Sequence, residues 1–536
     1  MKNICLSCAF IISLLSCFLL KTAYAGQHEF HFSNEFSLTY NNISGPGHSQ
    51  SSLTEGVNYL NDLGLFGNGK LGEFDYNFNL GGKATDDRRM DPKTFSLTNL
   101  QGRITNKIHT MTLGDTFESF SQYSLSTAVK GGSYKFHNES SSLPEIILIY
   151  GIAAPRWDSV WRDYRTKTIE RQVYGSRIKY NFTPLFYAGF SLVRSQDDKR
   201  INTTDPLYTN NIYSLDAEYK PIPGLILYSE YAFNNTQLSK QQGTDYAKSD
   251  GYAFKITATG DGHPSRVTLE YERISPDFIT LLGAATADRE KIKAKWRYKW
   301  TKIISLNTGF LWYRNDLEGQ RSDGRTDYYK PEAGVTVNKL FGRQYSVTDI
   351  SYKLNVAEKD SSNIKTDHIV NLNYRDRFGI FDSDTNLGYT NYAARGTSRQ
   401  KSNEYIYNTS LNSRHTVGVF ILKPALYLGG WEAQDELSDT KDMIYEYSLG
   451  IGIDVPSLKI TSNIKVGENK LDKETPGTDD SRKAFANINI YYKPKFLEKL
   501  NNGMLFLRTY VNDFRYTTGV RNFRDTSITA GLNIQM

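Results

Sequence analysis

Ten consecutive residues, Lys291-Ile292-Lys293-Ala294-Lys295-Trp296-Arg297-Tyr298-Lys299-Trp300, alternate strictly between basic and apolar side chains. A helix scatters that pattern around its surface. A strand, with its period of two, puts every charge on one face and every apolar group on the other. The alternation recurs along the chain to its last residues. The charged faces need water and the apolar faces need a greasy solvent. When most strands read this way and no buried core is left over, lipid is the simplest solvent for the apolar face. The expected fold is all-β, a single closed antiparallel transmembrane β-barrel.

Strands of barrel length are expected over 74–80, 95–104, 146–153, 174–182, 213–220, 225–233, 267–273, 292–300, 306–313, 346–354, 369–377, 484–492 and 505–511. Weaker segments bring the tally to about 26, within a range of about 22–26 set by how 56–66 and 125–136 are read. Tight turns are expected at 67–70, 106–107, 183–184, 221–224, 301–302, 341–343, 378–379 and 456–457. Long polar stretches at 85–93, 156–170, 196–210, 234–249, 275–289, 316–327 and 467–481 alternate with them. Short periplasmic turns and long extracellular loops have this asymmetry. An even strand count then puts both termini in the periplasm.

The N-terminus reads as an export signal: Lys2, an apolar run from Ile4 to Leu20, then Ala23-Tyr24-Ala25 as a cleavage site. Residues 1–25 are the expected signal peptide and 26–536 the barrel. Leu14-Leu15-Ser16-Cys17 offers a rival reading in which Cys17 is lipidated. All three cysteines, Cys5, Cys8 and Cys17, precede residue 26. The mature chain therefore has no disulfide, no Cys-ligated metal and no covalent c-type haem link. Removing Lys2 and Lys21 with the signal lowers the formal charge of +6 to +4, which gives a nucleic-acid partner no electrostatic support. The 37 tyrosines suit aromatic girdles at two membrane interfaces. A mean hydropathy of −0.52 is no objection, because half of each strand faces water.

Few motifs suggest chemistry. Gly64 to Leu71 nearly matches a phosphate-binding loop, but that chemistry needs a following helix, and Phe74 to Leu80 alternates as a strand. The segment reads as a glycine-rich hairpin. The eight histidines are scattered, and no nucleophile elbow, zinc-binding pair or paired-carboxylate motif stands out. No cofactor and no enzymatic activity are expected. An enzyme would need Ser and His, or carboxylates, converging from separate strand ends.

The functional candidates are lumen rows. Lys291, Lys293, Lys295, Arg297 and Lys299 oppose an apolar outer face, and Glu270 and Glu272 of the preceding strand point the same way, which favours pairing. Asp216, Glu218 and Lys220 form a similar row, as do Arg375 and Arg377. A polar interior that passes or holds a hydrophilic partner is one reading, and plain solvation of a wide water-filled barrel is the other. The loop with Trp157, Trp161, Arg162 and Arg165 is a candidate constriction, a sugar or partner site, or an interface anchor.

Thr529-Ala530-Gly531-Leu532-Asn533-Ile534-Gln535-Met536 resembles the terminal strand of Gram-negative outer-membrane barrels, with Met536 in place of the usual aromatic. The resemblance implies outer-membrane lipid as surroundings and recognition of this strand by the barrel-assembly machinery. The strand tally resembles the barrels of porin–cytochrome conduits, which sheath a multihaem cytochrome. That resemblance implies a porin-like channel or conduit whose haem comes from a periplasmic or lumen-bound partner. Gly114-Asp115-Thr116-Phe117 is similar to a strand of fimbrial ushers, which implies the alternative of a secretion or assembly barrel exporting a polymer or protein. No plug domain is expected ahead of the alternation, which starts near Glu29-Phe30-His31-Phe32.

Overall fold

The computed structural model describes residues 28–137, 143–154, 156–160, 170–197, 207–239, 246–322, 324–359, 363–396, 399–475, 477–498 and 503–536. The expected signal segment with its cleavage after Ala25, Cys17, and Trp161, Arg162 and Arg165 of the aromatic loop lie outside the described residues.

A ring of 26 antiparallel strands closes on itself, with one short extra strand. In chain order they are β1 (His28–Ser44), β2 (Gly56–Leu71), β3 (Phe74–Thr85), β4 (Phe95–Thr105), β5 (His109–Thr116), β6 (Val129–Phe136), β7 (Glu145–Ala153), β8 (Arg171–Thr183) and β9 (Phe186–Asp197). Then come β10 (Leu207–Tyr219), β11 (Leu225–Ser239), β12 (Tyr246–Gly262), β13 (Ser265–Ile274), β14 (Arg289–Lys299), β15 (Ile304–Arg314), β16 (Asp327–Asn338), β17 (Val347–Lys359) and β18 (Asn363–Phe378). The ring is completed by β19 (Phe381–Arg395), β20 (Gln400–Ser413), β21 (His415–Val417), β22 (Phe420–Asp435), β23 (Thr440–Val455), β24 (Ile460–Lys473), β25 (Ser481–Tyr492), β26 (Met504–Tyr516) and β27 (Phe523–Gln535). The extra strand, β21, continues β20 past Arg414 and pairs with the same neighbour, β22.

Closure is made by β1 against β27, from Ser33↔Gln535 to Ser44↔Arg524. At its end Phe32 and Met536 exchange backbone hydrogen bonds of 2.9 and 2.8 Å. A ring without an edge leaves no unpaired ladder for lipid to meet. With strands ~4.8 Å apart and tilted ~40°, 26 of them enclose a backbone cylinder ~50 Å across.

The register separates two faces. Glu270 and Glu272 of β13 oppose Lys293 and Lys291 of β14, while Leu269 and Tyr271 oppose Ala294 and Ile292. Following these parities around the ring puts Leu148, Tyr150, Leu215, Leu269, Leu449, Val466 and Ile528 on one face, all well exposed. An apolar belt of this extent, uncovered by protein, is the outer face of a membrane-spanning barrel. Cross-strand aromatic pairs brace it, with Tyr150–Tyr174 centroids 5.0 Å apart and Tyr389–Tyr405 5.1 Å apart.

Three local expectations change. The β2–β3 hairpin turns at Gly72 and Glu73 rather than 67–70. Gly72 takes φ +63°, and Gly67 stays in β2, where a Cβ would meet the Phe78 ring at 2.4 Å. The 234–249 stretch is mostly strand, because β11 and β12 keep pairing from Leu225↔Gly260 to Ser239↔Tyr246. The alternation of short and long connections breaks down towards the C-terminus. On the rim away from the termini, 360–362, 396–399 and 436–439 are short, and there the strands are longer, 16 residues in β22 and β23 against 8 in β5. On the terminal rim, 339–346 and 493–503 are long, the latter because Lys495–Glu498 coils into a helical turn that buries Leu497.

One seam of the ring is thin. β4 and β5 pair only from Gln101↔Gly114 to Thr105↔Thr110. Gly114 at φ +98° lets the chain leave the ladder there; a Cβ would lie 2.0 Å from the Leu100 carbonyl oxygen. Beyond it, residues 117–128 turn inward.

Candidate functional site: the lumen

The inner face of the ring is covered on one side. Residues 117–128 and 275–288, which connect β5 to β6 and β13 to β14, fold into the lumen and pair with each other. The Ser126 amide donates to Leu282 O at 2.9 Å and the Ala284 amide to Gln122 O at 2.7 Å. Apolar side chains hold them to the wall in two clusters. Phe120, Leu125 and Leu282 pack on Val129, Ile147, Ile149, Val173 and Val193. Tyr123 and Phe278 pack on Ile212, Ala232, Ala253 and Ile274. The Tyr123 and Phe278 rings meet edge to face at 5.9 Å. Residues 275–289, expected as a polar loop, are thus an inner brace, because Phe278 and Leu282 are buried.

An ionic belt lies beside this apolar band. Glu230 accepts the backbone N–H groups of Gln122 and Tyr123 at 3.2 and 3.0 Å. Glu272 is fully buried and accepts from Tyr123 Oη at 2.8 Å, Gln122 Nε2 at 3.2 Å, Arg289 Nη2 at 3.0 Å and Lys291 Nζ at 2.7 Å. Lys291 also reaches Glu270 at 2.7 Å, and Lys255 reaches Glu270 at 3.4 Å and Gln122 Oε1 at 2.8 Å. Buried charges persist when each has a partner and its hydrogen bonds are filled, as here.

The sequence candidates fall in separate places. Glu270, Glu272 and Lys291 join this belt. Asp216 lies in it too, but holds Arg177 through two bonds of 2.7 and 2.9 Å. Glu218 and Lys220 pair with each other at 2.9 Å nearer the terminal rim. Arg375 and Arg377 sit on a distant arc, half-exposed, against Asp384 at 3.7 Å and Asp382 at 2.6 Å. Arg297 Nε donates to Asn307 at 3.2 Å. Among the described residues no carboxylate lies within ion-pair distance of Lys293, Lys295 or Lys299, and the register puts all three on the lumen face, Lys293 opposite Glu270.

Trp157 is buried at the thin β4–β5 seam rather than in the lumen. Its Nε1 donates to Asp115 at 2.9 Å, and Lys130, paired with the same Asp115 at 2.6 Å, lies 5.0 Å from its ring. Next to it, Arg156 clasps Asp91 at 2.9 Å and Ser96 at 2.7 Å. Burial pushes the Asp91 carboxyl up, but Arg156, the Lys93 N–H and Ser96 outweigh it and hold the group below its usual range. A carboxyl depressed in the folded state stabilises above its unfolded value, about 4, and that contribution disappears as pH falls through the folded value. The stability gap between the wild type and Asp91→Asn should therefore be full at neutral pH and close in acid. Unfolding midpoints measured from pH 7 to 3 check this, and a gap independent of pH counts against the clasp.

The inner segments carry a signal in the sequence. Ile146-Ile147-Leu148-Ile149-Tyr150 is apolar at every position, not every second one. A continuous apolar run marks a strand covered on both faces.

No family model matches the chain, and no curated protein sequence matches it. Among solved structures it is similar to the translocation pore of the P pilus usher PapC, at 9% identity over 94% of this chain and 99% of that one, with a TM-score of 0.36. It is similar to the outer membrane protein OpdK from Pseudomonas aeruginosa, at 10% identity over 95% and 99%, with a TM-score of 0.28. It is also similar to the siderophore receptor PirA from the same organism, at 9% identity over 96% and 80%, with a TM-score of 0.39. Similarity at this level carries no argument about what the chain does.

Proposed function

We propose that this barrel is a porin-like channel of the Gram-negative outer membrane, narrowed on one side by its own residues 117–128 and 275–288. A closed ladder inside an apolar belt supports the membrane setting. A ring this wide cannot be filled by its own side chains. The observation that carries the reading is the one-sided brace: Glu230 and Glu272 fix it beneath β6–β13, and among the described residues neither inner segment packs on the opposite arc. The chain then acts as a transport protein rather than an enzyme, and passes hydrophilic solutes. A conduit sheathing a multihaem cytochrome is the narrower form of the same reading. The brace favours the solute channel, because it occupies space that a sheathed protein would need.

Single-channel recording of the refolded, heat-modifiable barrel in a planar bilayer tests this. A large, steady conductance is expected, and a folded barrel that never conducts overturns the reading. Two cations of the β14 ladder make a second forecast. Exchanging Lys293 and Lys295 for glutamate (Lys293→Glu with Lys295→Glu) replaces two lumen cations by anions, and reversal potentials in a salt gradient should shift severalfold towards cation permeability. An unchanged reversal potential would remove this ladder from the ion path.

A further inference from the structure

The inner wall opposite the brace has its own chemistry. The inward residues of β26 are Phe506, Arg508, Tyr510, Asn512 and Phe514, so an aromatic ring returns every fourth residue, or every ~14 Å along the strand. β25 fills the intervals: Tyr491 pairs with Phe506 and Phe485 with Asn512. Phe514 stacks on Phe523 of β27 at 4.4 Å and 15°.

The cations of this wall lie over rings. Arg508 is 4.2 Å from the Phe506 ring and 5.8 Å from Tyr491. Lys465 of β24 is 5.5 Å from Phe485, and Lys483 is 5.3 Å from Phe514. Among the described residues no carboxylate pairs with Lys465 or Lys483, and Arg508 reaches Glu35 only at 3.8 Å. A cation seated on a ring keeps its charge available to the lumen. Between the rings stand amides: Asn487 pairs with Tyr510 and Asn489 with Arg508. Neither inner segment packs on this arc.

We infer that the inner wall of β24–β27 is a binding track for an acidic oligosaccharide. Aromatic faces at intervals suit the C–H faces of pyranose rings, amides suit hydroxyls, and the ring-seated ammonium and guanidinium groups suit a uronic carboxylate. Polar groups interleaved at every second position make the wall unsuited to an apolar ligand. Inward Asp525 of β27, and Glu446 of the adjoining β23, keep this wall from being uniformly cationic, so it suits a chain of sugar faces carrying carboxylates rather than charge alone.

The inference deepens the channel reading, and rests on it only for solute access to the lumen. Equilibrium dialysis against the full barrel in nanodiscs measures binding without conduction, so failure here and failure to conduct are separate results. Hexagalacturonate should bind, more tightly than neutral maltohexaose. Tyr510→Ala should weaken it roughly tenfold, while Tyr510→Phe keeps most of the affinity. Lys465→Gln with Lys483→Gln, both on half-exposed side chains, should erase the preference for the acid over maltohexaose. Each variant is first shown to be heat-modifiable. No binding of hexagalacturonate, binding indifferent to Tyr510→Ala, or tighter binding of hexathymidylate overturns the inference.

Discussion

Glu272→Leu is expected to destabilise the barrel by about 3–5 kcal/mol, the cost of stranding buried charge. Four donors converge on this carboxylate, and none of its surface is exposed. Lys291 retains Glu270 at 2.7 Å, so the loss falls mainly on Arg289 and on the Tyr123 hydroxyl, both turned towards a space with no acceptor. Glu272→Gln keeps the shape and one acceptor, and should cost less. Asp384→Ala breaks an exposed pair at 3.7 Å and should cost under about 1 kcal/mol. Urea unfolding followed by gel mobility ranks the three variants. If Glu272→Leu costs no more than Asp384→Ala, the belt does not hold the brace.

Removing the brace should open the channel. Thr116 pairs with Val129, and Ile274 with Arg289, so the strand ends are already adjacent where residues 117–128 and 275–288 leave the wall. Short glycine–serine turns can replace both segments without moving a strand. For a lumen ~50 Å across at the backbone, single-channel conductance should rise about twofold or more. Stability should fall together with it, because Ile147, Val173, Ile212 and Ile274 lose their apolar cover. Unchanged conductance in a folded double-replacement variant would put the narrowest point elsewhere.

The ring was readable from residues because a strand's period of two survives any curvature. Lys291 to Trp300 shows which side is wet without any knowledge of neighbours. Pairing of Glu272 with Lys291 follows from the same parity once β13 and β14 are adjacent. The brace was not readable in the same way. Residues 275–289 carry Ser, Pro, Asp, Thr and Gly among their apolar residues, which is loop chemistry, and their burial depends on a partner segment some 150 positions earlier. The tyrosine-rich composition also misleads, since girdles account for outward rings such as Tyr150 but not for Tyr313 and Tyr328, which stack at 4.3 Å on the inner face. Composition counts rings; only register says which way they point. Trp157 shows a third limit. Its place at the thin seam depends on where β5 leaves β4, and Gly114 is the only local hint.

The brace also makes the tube mechanically uneven. From β6 to β13 the wall is two layers thick and cross-linked through buried carboxylates; from β15 to β27, among the described residues, it is a single sheet. A thin-walled cylinder stiffened along one side does not shrink evenly under load. Lateral pressure from the bilayer should therefore act more on the unsupported arc than on the braced side. Membrane thickness and tension would then be expected to alter the width of the lumen through the arc that includes β24–β27, while the anchored side keeps its shape.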